Sequence, residues 1–132
     1  MDKTIIQSAN APAPVGTYSQ AVAIDQPSGR TVWVSGQIGL DPITGQMVSD
    51  DFDAQARQVF QNLSAIAEAA GGSLADIVKL TLYLTDLGEF SKANAIMAEL
   101  FPKPFPARSA VGVAALPKGA IFEADAVLVL HR

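Results

Sequence analysis

The chain has 132 residues and no cysteine, which excludes a second core, disulfide staples, thiol nucleophiles and thiolate metal sites. A net charge of −4, with no basic cluster able to neutralise several phosphates, makes nucleic acid a poor partner. Charged residues are 17% of the chain, against roughly 25% in typical soluble domains, which predicts that part of the surface is covered in an oligomer.

In chain order, Thr4 to Gln7 reads as a short first strand, and the two prolines of residues 9 to 17 make the next stretch irregular. The long uncharged run from Ile5 to Ile24 contains Pro12, Pro14, Gln7, Asn10 and Gln20, so it lacks the character of a membrane span. The first residues build no apolar stretch of leader length, and a cytoplasmic location is expected. Ser19–Asp25 and Thr31–Gln37 are β-branched or apolar runs separated by residues 26 to 30, which predicts a hairpin with a longer loop. Asp41-Pro42-Ile43-Thr44-Gly45 is a further turn. From Phe52 the period changes, with Ala56, Val59, Phe60, Leu63, Ile66, Ala67 and Ala70 on one face of a helix. Asp50, Asp51 and Asp53 suit its N-terminus, and Gly71-Gly72 supply a left-handed stop.

Residues 79 to 85 then alternate strictly, with Leu80, Leu82 and Leu84 on one strand face. A second helix carries Phe90, Ala93, Met97 and Leu100 on one stripe and ends at Pro102, Pro104 and Pro106. Two strands, roughly Arg108–Ala114 and Ile121–Leu130, finish the chain. The order β-β-β-α-β-α-β-β predicts a single α+β domain over residues 1–132, a mixed sheet of about six strands with two helices on one face. Ala124, Ala126, Leu128 and Leu130 would meet the helices. The opposite face, with Tyr83, Glu123, Asp125, Val127 and Val129, is part apolar and part charged, as expected of a face buried against other subunits.

Few residues are left to carry chemistry. One histidine, His131, leaves no metal cluster of the His/Cys type and no Ser–His pair, and the glycine spacings of dinucleotide and P-loop sites do not occur. Asn62-Leu63-Ser64 matches a glycosylation sequon but lies mid-helix. Arg108, fixed where the proline-rich loop enters a strand, either holds a carboxylate in a two-pronged hydrogen bond or serves as a surface or salt-bridging arginine. Glu123, at the start of an otherwise apolar strand, is either a partly buried general acid/base or the partner of a cation near a subunit edge. Tyr18 projects a phenol into a cleft or is an aromatic at a strand entry. Ser35 and Gly36 end the third strand where a ligand can approach the backbone, or mark a bulge.

Taken in order, several segments resemble the RidA/YjgF family of imine deaminases across nearly the whole chain. They are residues 10 to 20, Val34-Ser35-Gly36-Gln37-Ile38, Gln55-Ala56-Arg57-Gln58 with Asn62, Asp76-Ile77-Val78-Lys79, Asn94, Phe105-Pro106-Ala107-Arg108-Ser109, and Leu116-Pro117-Lys118 before Glu123. The resemblance implies a chorismate-mutase-like fold in a homotrimer, with the sheets forming a central barrel and three clefts between subunits. It implies cofactor-independent hydrolysis of enamine and imine acids, such as 2-aminoacrylate and 2-iminobutanoate, to 2-oxo acids and ammonia. Such intermediates leak from pyridoxal-phosphate dehydratases.

By that resemblance Arg108 binds the substrate carboxylate, and Glu123 orients or activates the attacking water. Tyr18, Ser35, Gly36 and Asn94 line the cleft, and the backbone at Ala110 meets the ligand. Many members carry Cys where this chain has Ala110, and Phe122 and Ala124 flank Glu123 where aliphatic residues are usual. The segment between Asn94 and Arg108 is also shorter than in common members, so substrate range is the property most open to change. No cofactor, metal, membrane or nucleic-acid partner is expected. The alternative is a non-catalytic, small-carboxylate-binding or regulatory trimer, against which the presence of both Arg108 and Glu123 counts. A ribonuclease role would call for a basic surface.

Overall fold

The computed structural model describes residues 2–131. Six strands and two helices follow in the expected order: β1 (Lys3–Ile6), β2 (Ala21–Gln26), β3 (Gly29–Ile38), α1 (Phe52–Ala69), β4 (Ile77–Leu84), α2 (Phe90–Leu100), β5 (Ala107–Gly112) and β6 (Phe122–His131). They form one mixed sheet in the order β1-β2-β3-β6-β4-β5. All neighbours are antiparallel except β4 and β5, because α2 carries the chain back between those two and a crossover returns a strand parallel.

The hairpin of β2 and β3 is tighter than the sequence suggests. Pairing continues to Gln26 and Gly29, leaving only Pro27-Ser28 as the connection. The Asp25 and Arg30 side chains, opposite one another, form a two-pronged ion pair of 2.7 and 3.1 Å. Arg30 Nη1 also donates to the Ala70 carbonyl at 3.1 Å, so one residue closes the hairpin and receives the C-terminus of α1.

Helix α1 starts as its acidic first turn predicts, with the Asp51 carboxylate accepting from Ala54 N at 3.0 Å. It stops at Gly71, whose φ of +101° suits glycine. Its apolar face and Leu80, Leu82 and Leu84 of β4 are fully buried. Phe60 meets Phe101 edge-on at 5.4 Å, and Phe122 packs on Phe52 and Phe60 at 5.4 and 5.7 Å. In α2 the buried stripe is Ala93, Ile96 and Met97, while Leu100 is exposed. The helix ends there and Phe101 turns inward instead.

Both helices contribute to one core on one side of the sheet. On the other side, Ile5, Val22, Trp33 and Val127 fall in one cross-strand row, and Trp33 is 48% exposed. Among the described residues no helix is long and apolar enough to cross a membrane.

Candidate active site

The site residues expected from the sequence fall into two groups on opposite faces of the sheet. Arg108 pairs in register with Leu80 and through it with Ala126, so its side chain rises on the helix-covered face. Glu123 pairs with Tyr83, which pairs with Val111, so its side chain rises on the open face. The two residues also differ by two strands and three positions along the sheet, about 10 Å in each direction. One chain therefore does not bring Arg108 and Glu123 together.

The arginine side is a cleft of about 310 Å³ lined by Asn94, Met97, Ala98, Phe105, Pro106 and Arg108. Arg108 Nη1 donates to Asn94 Oδ1 at 3.0 Å and lies 3.4 Å from Met97 Sδ. Its guanidinium stands 4.9 Å from the centroid of the Phe90 ring. These contacts fix the plane of the guanidinium, and among the described residues no carboxylate forms an ion pair with it. A cation held by an amide, a thioether and an aromatic face keeps its anion-binding capacity available. Asn94 thus serves the cleft by orienting Arg108. Ala110 lies two residues on, on the edge strand β5, half-buried against the core, and lines neither cleft described here.

The glutamate side is a cavity of about 270 Å³ whose lining includes Pro12, Val15, Tyr18, Ser35, Gly36 and Glu123. Here four of the expected residues do meet. The β3–β6 register shifts between Val34 and Gln37, so Ser35 and Gly36 form the bulge. A Cβ at Gly36 would overlap Glu123 Oε2, and the glycine is what leaves room for that carboxylate. Ser35 faces back into the scaffold, donating from Oγ to Ser19 O at 2.6 Å. Tyr18 is 44% exposed and its hydroxyl accepts from Val15 N at 3.1 Å. Burial first, and the nearby Asp125 charge second, push the Glu123 carboxyl above its ordinary range. Among the described residues no donor is hydrogen-bonded to it.

Gln20, Gln55 and Asn62 enter the sequence analysis only as members of matching segments, of the uncharged run or of the sequon, and their part in shaping these clefts comes from the structure. Gln20 is buried and accepts from Ser8 N at 2.6 Å while its amide donates to Pro12 O at 2.9 Å, which ties the irregular 8–18 segment down over the Glu123 cavity. Gln55 donates to Ser49 O at 2.9 Å and accepts from Ile121 N at 3.0 Å. Asn62, the sequon residue, is fully buried and donates to Ile38 O and Leu40 O, so it anchors a loop and is closed to glycosylation. The signal was present: Gln55 and Asn62 share the apolar face of α1, where a polar residue needs an internal partner.

Gly36→Ala tests the close approach at the bulge. The overlapping atoms are the far end of a movable side chain, so thermal stability should fall by no more than a few degrees. Displacement of the Glu123 carboxylate should still cost at least about tenfold in kcat/KM for the reaction proposed below. Unchanged kinetics would show that the placement of this carboxylate does not matter.

Fold and clefts define a small α+β protein with an open-faced six-stranded sheet and two concave sites, one holding a cation without a carboxylate partner and the other a carboxylate without a donor. A family model described as Endoribonuclease L-PSP matches residues 8–130, and the chain belongs to that family, the RidA/YjgF family. It is 43% identical over 127 residues to human 2-iminobutanoate/2-iminopropanoate deaminase, covering 96% of this chain and 90% of that one. It is 46% identical over 125 residues to a RutC family protein of Pyrococcus horikoshii, covering 95% and 96%. The crystal structure of RidA from the Antarctic bacterium Psychrobacter sp. superposes with a TM-score of 0.88 at 49% identity, covering 96% of this chain and 99% of that chain.

Proposed function

We propose that the protein hydrolyses small enamine and imine acids to 2-oxo acids and ammonia, in clefts that two neighbouring copies of a homotrimer complete together. The observation that carries this reading is the placement of Arg108 and Glu123 on opposite faces of one sheet. Neither site is whole in a single chain, yet each exposes the group the other lacks. The uncovered row of Ile5, Val22, Trp33 and Val127 supplies an apolar surface for packing copies together. Relatives at about the same identity named as 2-iminobutanoate/2-iminopropanoate deaminases support the substrate class.

In this reading Arg108 holds the substrate carboxylate in a two-pronged pair, which places the imine carbon near Glu123 of the adjoining copy. The carboxylate of Glu123 takes a proton from water as the water oxygen bonds to that carbon. The substrate enters as the iminium, already protonated on nitrogen, so the electron pair of the C=N bond comes to rest there as a neutral amine. Glu123 then returns its proton to the nitrogen of the resulting carbinolamine; the C–N bond breaks, ammonia leaves with the bonding pair, and the hydroxyl oxygen becomes the carbonyl as its proton passes through the Glu123 carboxylate to the departing ammonia. An enamine enters the same path after tautomerising to the imine. The imine carbon is already electrophilic, so positioning and one proton-transfer group are sufficient.

The test generates imino acids in situ with an amino-acid oxidase and follows their capture by semicarbazide. The protein should suppress capture by hydrolysing the imine first. If it suppresses none across small and bulky side chains, the deaminase reading falls and small-carboxylate binding replaces it. Light scattering should give a mass near three times the 13.8 kDa chain, and a monomer would sink the shared cleft. A net charge of −4 weighs against RNA as substrate, despite the family model's description.

A further inference from the structure

A second carboxylate stands beside Glu123 on the open face, and a tyrosine grips it. Asp125 lies two residues along β6, about 7 Å by the rise of a strand. Tyr83 is the cross-strand partner of Glu123, and its hydroxyl donates to Asp125 Oδ2 at 2.8 Å. The bond therefore runs diagonally, from the residue opposite Glu123 to the residue beside it. We propose that Tyr83 and Asp125 are positioning residues for Glu123, the tyrosine hydroxyl drawing off part of the aspartate's charge so that a moderated negative charge stands beside the water-activating carboxylate. This inference rests on the deaminase reading above and goes beyond it by naming what tunes its base.

The physical consequence follows from like charges at short range. With Asp125 ionised, Glu123 gives up its proton less readily and, once ionised, is a stronger base. The same hydrogen bond, followed by burial, pushes the Tyr83 phenol up to about 12, so it stays a donor across the working range. The other ionisable groups near Glu123 are few. Tyr18 lines the same cavity. Lys79 lies further along the open face of β4, engaged with Ser109 at 2.9 Å. Lys118 follows the cavity-lining Pro117, and Arg108 of the neighbouring copy faces the substrate. None of these changes when Asp125 or Tyr83 is substituted, so a difference between variants reads the pair itself.

The experiment titrates the Glu123 carboxyl by carbon-13 NMR in protein labelled at glutamate, with Glu123→Gln assigning the signal, alongside the pH profile of imine hydrolysis. Asp125→Asn removes the neighbouring charge and should move both the Glu123 titration and the acid limb of the profile down by roughly half a pH unit or more. Tyr83→Phe takes away the donor that spreads the Asp125 charge, and should move both up. Opposite shifts from adjacent substitutions are not produced by loosened packing, which would lower the rate at every pH and leave the limb in place. Glu123 titrating alike in all three proteins overturns the proposal, as does a moved titration that the acid limb does not follow. Failure of the deaminase reading is separate and visible first, as absence of imine hydrolysis by the unsubstituted protein.

Discussion

Arg108→Ala should abolish most of the protection against semicarbazide capture, lowering kcat/KM by about two orders of magnitude while the fold persists. A hydrogen bond to a charged group contributes about 1.5–3 kcal/mol, and a two-pronged guanidinium–carboxylate pair in a partly dry cleft sums to about 3 kcal/mol, roughly a hundredfold. The pair forms in the ground state and persists through the reaction, so most of the loss should appear as raised KM. Arg108→Lys retains a charge without the fork and should recover only part of it. Stability should change by less than about 1 kcal/mol, since Arg108 gives up one hydrogen bond to Asn94 and its stacking on Phe90 but no ion pair. Full retention of kcat/KM by the alanine variant would remove Arg108 from the site.

Glu123→Gln should show the opposite pairing of effects, with activity lost and thermal stability gained. Removing a general base typically costs about 10²–10⁴ in rate, and glutamine keeps the shape while losing the base. The stability effect has a definite sign. Burial first and Asp125 second raise the folded-state pKa of Glu123 above its ordinary value of 4.5. Whatever Glu123 contributes to stability is therefore fully present below the unfolded-state pKa and lost as pH rises through the folded-state value. At neutral pH the charged carboxylate weighs against the fold and the neutral amide does not, so the variant's Tm should exceed the parent's. The gap should close as pH falls below about 4, where the unfolded chain is protonated as well. A Tm below the parent's at neutral pH would mean that the Glu123 charge is compensated by a partner. A residue held where it costs stability is a common signature of function.

Local pattern carried far in this chain. The leucines of β4 alternate strictly because one sheet face is buried. The 3.6-residue period of α1 marks the face that meets the core, and Asp51 and Gly71 mark its ends because capping is a contest among neighbouring groups. These are short-range effects, so the element order and the apolar core could be read without coordinates. The β2–β3 turn reads as long in the sequence because its closure depends on Arg30 reaching both Asp25 and Ala70, the latter forty residues away in the chain.

What tertiary structure alone decided is how the chemistry is distributed. Arg108 and Glu123 were both visible as candidates, yet their placement on opposite faces depends on the parity of residues on β5 and β6 relative to β4 between them. A shift of one position would have turned a side chain to the other face. Likewise Gly36 reads as a simple bulge until pairing brings Glu123 against it. Phe90 reads as core until α2 packs with that ring under the Arg108 guanidinium. Sequence determines which residues share a face of their own element, because that is set by backbone geometry over a few bonds. Which faces meet is set by long-range pairing, and there the two clefts, and the Tyr83–Asp125 pair beside one of them, came into view.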